Sequence, residues 1–121
     1  MSANQWRIIT VTLAIVVVFV CGYRLTRAGR PYPGLLLNFH KLPALAAAIL
    51  VAINVYRANQ ASALGAGPWA AAVVTGLFVV GLFATGALLS LDKPAPEVVR
   101  TLHHVAPYLA VLSGAVTLYL L

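Results

Sequence analysis

Residues 31–40 read PYPGLLLNFH, and residues 94–103 read PAPEVVRTLH. Each stretch is Pro-x-Pro, six further residues and then a histidine, in a chain that has only three histidines. Proline is tolerated in the first turn of a helix but resists helix before that point. Each motif therefore predicts the end of a loop and the start of a helix, with a histidine about two turns inside it.

The composition indicates a membrane protein. Of 121 residues, 62% are hydrophobic and 8% are charged, whereas a soluble domain carries roughly 25% charged residues. The net charge of +6 is scattered among apolar runs. Such a pattern favours loops that touch the anionic headgroups of a lipid bilayer, and it argues against a nucleic-acid partner.

Four segments are long and apolar enough to cross a bilayer, which takes about 20 residues per helix. They cover about 6–25, 35–56, 69–91 and 99–121. The strand-like alternation of a membrane barrel is absent. The first segment lacks a small residue at Val20, before Cys21, so we expect a retained helix and not a cleaved signal peptide. The predicted fold is all-α, a bundle of four transmembrane helices.

A shift of 63 positions aligns residues 6–56 with residues 69–119 without a gap, and 12 of the 51 pairs are identical. The pairs of rarer residue types are Trp6/Trp69, Pro31/Pro94, Pro33/Pro96, His40/His103 and Tyr56/Tyr119. The alignment predicts two tandem parallel helical hairpins within one membrane domain of residues 1–121. Such repeats are related by an axis along the membrane normal. Helices 2 and 4 would then lie diagonally in the bundle, with their histidines facing each other.

The basic residues predict an orientation, because Lys and Arg accumulate in cytoplasmic loops. Six lie on the histidine side and two on the other side: Arg24, Arg27, Arg30, Lys41, Lys93 and Arg100 against Arg7 and Arg57. We therefore expect a multi-pass protein of the cell's inner (cytoplasmic) membrane. Its histidine side would be cytoplasmic and both termini extracytoplasmic.

A titratable side chain inside a membrane usually faces the bundle interior. A lone histidine there is commonly a hydrogen-bonding strut, but two at symmetric positions can reach one atom. Neutral imidazole is a good metal ligand, and two histidines in a helical bundle can hold a haem iron. His40 and His103 are the predicted ligands. His104 points about 100° away from His103 along the helix and is the alternative ligand.

Small residues on the histidine faces would leave room for a porphyrin: Ala44 and Ala47 in helix 2, and Ala110 and Gly114 in helix 4. Helix 3 adds Gly76, Gly81 and Gly86 at five-residue spacing. Small residues also let bare membrane helices pack closely, so a cofactor slot and simple packing stay open as interpretations. Arg24, Lys41 and Arg100 lie at a suitable depth to pair with haem propionates.

Other chemistry finds little support in the residues. Three histidines without an embedded carboxylate or thiol partner make a poor zinc set. The two acidic residues, Asp92 and Glu97, lie outside the predicted spans, so a carboxylate proton relay has no carrier. No catalytic residue is assigned, and electron transfer is favoured over enzymatic catalysis. The polar pair Asn54 and Thr117 is interpreted as a hydrogen-bonding latch or as one edge of a quinone pocket.

The stretches LNFHKLPALAAAI (37–49) and TLHHVAPYLAVLS (101–113) carry a resemblance. With one histidine near the start of each even helix, the chain resembles small bacterial membrane b-type cytochromes, in which two histidines on different helices ligate haem. It is also similar to small four-helix bacterial membrane proteins with a histidine at these points. The resemblance implies one haem b. The better-known two-haem membrane cytochromes differ, because they carry four ligand histidines.

The leading hypothesis is a membrane cytochrome that exchanges electrons with a quinone or a redox protein partner. The alternative is a cofactor-free accessory or structural subunit of a larger membrane complex, in which the histidines make hydrogen bonds only. A small-molecule channel is a third hypothesis, and the lack of intramembrane charge argues against ion conduction. A homodimer or a larger complex is compatible with the sequence.

Overall fold

The computed structural model describes residues 2–29, 31–91 and 93–121, and the regular structure in these residues is entirely helical. The four helices are α1 (Ala3–Ala28), α2 (Gly34–Ala61), α3 (Ala66–Leu89) and α4 (Glu97–Leu120). The all-α prediction with four helices is confirmed. Arg30, which was counted among the loop cations, and the acidic residue Asp92 lie outside the described residues.

The two Pro-x-Pro motifs end directly before a helix, as their chemistry predicts. Helix α2 begins at Gly34 after Pro33, and α4 begins at Glu97 with Pro96 as its extended N-cap, φ −56° and ψ 149°. His40 and His103 are therefore the seventh residues of their helices. At 1.5 Å per residue, each histidine lies about 9 Å from the start of its helix.

Local hydrogen bonds close both ends of α1, and another lies in the loop between α2 and α3. At the start of α1, Ser2 Oγ accepts from the Gln5 N–H at 3.2 Å while Gln5 Oε1 accepts from the Ser2 N–H at 2.8 Å. Gly29 ends α1 with a φ of 71°, where a side chain would be strained. Between α2 and α3, Asn59 Oδ1 accepts from the Leu64 N–H at 3.1 Å. These bonds satisfy polar groups that helix termini otherwise leave unpaired.

Three of the helices are long and apolar enough to cross a membrane: Gln5–Ala28, Gly34–Ala61 and Ala66–Leu89. This identifies the chain as a candidate membrane protein. Little of these spans is buried within the chain itself, 11% in the first and third and none in the second. Most of their apolar side chains are therefore exposed on this chain, as is typical of helices that lie in a membrane or in an interface. Helix α4 is less apolar at its start, which carries Glu97, Arg100, His103 and His104.

The chain divides into two compact units, Met1–Ile53 and Asn54–Leu121, and the boundary falls inside α2. In the first unit α2 contacts α1 at His40, which reaches the backbone of Val18 and lies on Gly22. The second unit contains the end of α2 together with α3 and α4, which pack against each other.

A buried polar contact joins α3 and α4. The hydroxyl oxygens of Thr75 and Thr117 lie 3.0 Å apart, and their residues are only 7% and 0% exposed. Each hydroxyl is also 2.8 Å from a carbonyl of its own helix, Ala71 or Ser113. Thr117 thus forms a hydrogen-bonding latch with Thr75 between α3 and α4, and the interpretation of the Asn54/Thr117 pair stays a prediction.

Candidate functional site

His40 packs against α1 near the end of its helix. Its Nδ1 lies 2.8 Å from the carbonyl oxygen of Val18. The ring covers Gly22, where an added Cβ would lie 3.0 Å from the imidazole Cε1. Such a contact is tighter than an ordinary van der Waals contact, so a side chain at position 22 would require the ring to shift, and the glycine provides the space in which the imidazole lies.

His103 packs against α3 in a closely similar way. Its Nδ1 lies 2.9 Å from the hydroxyl oxygen of Thr85, and a Cβ added at Gly86 would lie 3.1 Å from the imidazole Cε1. Both histidines are half-buried. Each unit therefore holds one imidazole between a glycine and an oxygen of the preceding helix.

The acceptors fix which ring nitrogen carries the proton. A carbonyl oxygen only accepts, so His40 must donate from Nδ1–H to Val18. The Thr85 hydroxyl donates to the Gly81 carbonyl at 2.8 Å, and so its oxygen accepts from the Nδ1–H of His103. In the neutral ring the lone pair then belongs to Nε2 in both histidines. Metal-ligating histidines use this same arrangement, with the other ring N–H held by an oxygen.

The glycines under the two rings do not follow the same sequence offset as the histidines. The histidines are 63 positions apart, whereas Gly22 and Gly86, on which they lie, are 64 positions apart. Gly22 precedes its histidine by 18 residues and Gly86 by 17. A gapless alignment pairs Gly22 with Thr85 and misses this glycine pair.

The half-buried faces of α2 and α4 consist of residues that are 63 positions apart in the sequence. The half-buried residues of α2 from the histidine onward include His40, Pro43, Ala44, Ala47 and Val51. The residues 63 positions later in α4 are also half-buried: His103, Ala106, Pro107, Ala110 and Gly114. Both helices thus turn the same face, with its histidine and small residues, away from the exposed side.

His104 lies in a different environment from His103. It is exposed, and its ring is edge-on to that of His103 with the centroids 6.5 Å apart. Of the two neighbouring histidines, His103 is the one that lies against α3.

The three cations that were predicted to pair with haem propionates, Arg24, Lys41 and Arg100, are exposed. They differ in their direction relative to the histidine ring. Arg100 precedes His103 by three residues and so lies within about 60° of it around the helix. Lys41 is turned by about 100° from His40. Arg24 is turned by about 160° from Gly22, on which His40 lies, so it points away from that ring.

The predicted small residues lie on the histidine faces described above: Ala44 and Ala47 in α2, and Ala110 and Gly114 in α4. In α4 this face packs against α3. A Cβ added at Gly114 would lie 3.7 Å from the Thr75 methyl group of that helix.

The glycines of α3 do not act together, because a five-residue step turns a helix by about 140°. Only Gly86 lies under a histidine, whereas nothing lies within 4 Å of a Cβ added at Gly76 or Gly81.

Sequence reasoning missed the residues that hold the rings: Gly22, Gly86, Thr85 and the Val18 carbonyl. One signal was available in the first hairpin. Gly22 lies six residues before the end of α1, and His40 lies six residues after the start of α2. Residues at equal distances from the loop of an antiparallel hairpin lie opposite each other. The acceptors carry no such signal, since every residue has a carbonyl oxygen.

Comparison of the chain with protein-family models, with curated proteins and with solved structures finds no match. The functional assignment therefore depends on the histidine geometry.

Proposed function

We propose that the chain is a four-span membrane cytochrome in which His40 and His103 would together hold one b-type haem. Haem supplies one-electron chemistry at its iron. The proposal is supported by the matching positions and hydrogen bonds of the two histidines. Each is the seventh residue of its helix and lies on a glycine. Each donates Nδ1–H to an oxygen, which makes Nε2 the coordinating nitrogen.

The proposal includes α4 as a fourth span. At 24 residues it is about 36 Å long, and the hydrocarbon core is about 30 Å thick. Its charged residues, Glu97 and Arg100, lie in the first turn, where side chains reach the interface. Its polar Thr117 is satisfied by Thr75 within the chain, so it adds no unpaired group to the lipid.

The proposal also includes a duplicated hairpin. The matching helix starts, histidine positions and half-buried faces of α2 and α4 support it. The glycine offset of 64 adds a one-residue shift between the two helices of a hairpin. In this arrangement the duplication is what brings one imidazole from each hairpin to a common iron.

In the proposed site, residues of the chain would bind the iron, leave room for the porphyrin and supply positive charge for the propionates. His40 and His103 bind the iron. Ala44, Ala47 and Ala110 give room beside the rings. Arg100, with Lys41 and Arg24 further around their helices, supplies positive charge for the propionates. The electron partner is a quinone or a redox protein.

The proposed location is the inner (cytoplasmic) membrane, with the histidine ends of the helices on the cytoplasmic side. Reporter fusions at the two termini test this. Both reporters are expected to be active outside the cytoplasm, and a cytoplasmic C-terminus would contradict the orientation and the fourth span.

The visible spectrum of the purified protein tests the haem. The full chain is produced in haem-replete cells, purified in mild detergent and measured oxidised and then reduced. Sharp reduced bands of the b type, with bound haem in proportion to protein, are expected. A colourless protein would contradict the cytochrome proposal.

A second function is favoured by a specific observation. The hydrogen bonds to Val18 and Thr85 already give both histidines a structural role without a cofactor. The spans also leave most of their apolar surface for lipid or protein. A colourless chain that co-purifies with a membrane complex would therefore be a cofactor-free accessory subunit.

A further inference from the structure

The two histidines differ in the group that accepts their Nδ1 proton. For His40 it is a backbone carbonyl, Val18 O, at 2.8 Å. For His103 it is a side-chain hydroxyl, Thr85 Oγ1, at 2.9 Å. A hydroxyl can be removed by substitution, whereas a carbonyl cannot.

The Thr85 hydroxyl stands between His103 and the backbone of α3. Its oxygen lies 2.8 Å from the Gly81 carbonyl and 3.1 Å from the Leu82 carbonyl. Gly81 and Leu82 are 63 and 64 positions after Val18, so they occupy the level of the carbonyl that accepts from His40. In the second unit the hydroxyl donates to these carbonyls, and His103 donates to the hydroxyl.

The direction of this chain of hydrogen bonds follows from its proton count. The hydroxyl has one proton, and the two carbonyl oxygens beside it, of Gly81 at 2.8 Å and of Leu82 at 3.1 Å, can only accept. That proton therefore lies toward Gly81. The Thr85 oxygen can then only accept, so the proton of its contact with His103 belongs to Nδ1.

We propose that Thr85 is the positioning residue of His103. It holds the imidazole as the Nδ1–H tautomer and directs the lone pair to Nε2. When His103 ligates haem, the same hydrogen bond makes the imidazole a stronger electron donor to the iron. This second part rests on the proposed function, whereas the tautomer does not. Within the chain, His103 is then the ligand whose strength is set by a side chain.

The tautomer is measured in haem-free protein. The full chain, labelled with ¹⁵N-histidine, is placed in lipid bilayers and studied by solid-state NMR, and the signals are assigned with single histidine variants. In the unsubstituted chain, Nδ1 of His40 and of His103 is expected to be the protonated nitrogen. In Thr85→Val, His103 alone is expected to lose this state, while His40 keeps it.

Two variants separate positioning from general damage to the fold. Thr85→Ser keeps the hydroxyl and is expected to restore the signals of His103. Thr12→Val removes another helical threonine, which is exposed and whose hydroxyl donates to the Ile8 carbonyl at 2.8 Å. It is expected to leave all histidine signals unchanged.

Two NMR results would overturn the proposal. One is a His103 protonated at Nε2 in the unsubstituted chain. The other is a His103 that keeps a protonated Nδ1 in Thr85→Val.

The second readout is the midpoint potential of the haem-loaded protein. A stronger donor ligand favours ferric iron, so Thr85→Val is expected to raise the potential, and Thr85→Ser to leave it near that of the unsubstituted chain. An unchanged potential in Thr85→Val would overturn the tuning role. If the chain binds no haem, the proposed function fails, and the NMR result still decides the positioning role.

Discussion

The first and second units hold a histidine at the same place by different means. His40 and His103 lie on a glycine, at the seventh position of their helices. His40 donates to the backbone of α1, and His103 donates to a threonine hydroxyl of α3. The two units thus share the position of the ring in its helix and the Nδ1–H tautomer. The groups that accept the Nδ1 proton differ. Two units can hold a histidine ring in the same way although the residues around it differ.

The units also differ at the buried contact between their helices. Thr75 meets Thr117 in the second unit, whereas Val11, which lies 64 positions before Thr75, is a buried apolar residue of the first. A hydrogen bond between membrane helices specifies a register, because a shift of either helix would break it. The second unit therefore has a polar constraint on α3 against α4.

The largest expected effect comes from removing either ring. His40→Ala and His103→Ala are each expected to abolish the b-type bands, because one imidazole does not give bis-histidine ligation. The visible spectrum of each purified variant is the measurement. A variant that keeps its full bands would show that the histidine it lacks is not a haem ligand, and that the two units are not equivalent.

The matched control is His104→Ala, since His104 is exposed. Its bands are expected to persist. Loss of the bands in this variant alone would assign the second ligand to His104.

The next effect concerns the two glycines under the rings. Gly22→Val and Gly86→Val add atoms where a Cβ already lies 3.0 and 3.1 Å from an imidazole carbon. Overpacking of this kind costs about 1–3 kcal/mol. Both variants are expected to lower the free energy of unfolding in mixed micelles and to weaken haem binding.

Gly76→Val and Gly81→Val are the controls, because nothing lies within 4 Å of their added Cβ atoms. They are expected to change the free energy of unfolding by less than the paired substitutions. Equal losses at all four positions would mean that the glycines serve the helix backbone and do not hold the rings.

A smaller effect is expected at the threonine latch. Thr75→Val and Thr117→Val should each destabilise the second unit by about 0.5–1.5 kcal/mol, the range of a hydrogen bond between membrane helices. A double-mutant cycle with reversible unfolding in micelles measures their coupling. Thr12→Val is the control for loss of an exposed threonine. Additive effects of the pair would contradict a direct hydrogen bond.

The smallest effect is expected from the exposed cations. A positive charge near the haem favours its reduced form, and in water-like surroundings two charges about 10 Å apart interact by only a few tenths of a kcal/mol. Arg100→Gln is expected to lower the midpoint potential, and Arg24→Gln, which removes a side chain directed away from its ring, to lower it less. A larger shift for Arg24→Gln would contradict the assigned directions.

Much of the fold was predictable because its determinants are local. Long apolar runs specify the helices, and the fixed φ of proline specifies where α2 and α4 begin. These rules placed His40 and His103 correctly, two turns inside their helices. The same composition makes α1, α2 and α3 candidate membrane spans.

The surroundings of the rings were not predictable because they depend on packing between helices. The gapless alignment paired Gly22 with Thr85, although Gly86 has the corresponding contact. A backbone acceptor such as the Val18 carbonyl has no signature in sequence. A face of small residues, such as the one that contains Gly114, can pack against a cofactor or against another helix. That Gly114 contacts Thr75 depends on the rotation of α4, which the sequence does not specify.

Haem titration of the haem-free chain tests the central claim most directly, because it counts how many irons the two histidines serve. The chain in micelles is titrated with haemin and followed by visible absorption and by electron paramagnetic resonance. The account predicts a break at one haem per chain with a low-spin, bis-histidine spectrum. A break at two haems per chain, or no specific binding, would contradict the claim that His40 and His103 share one iron.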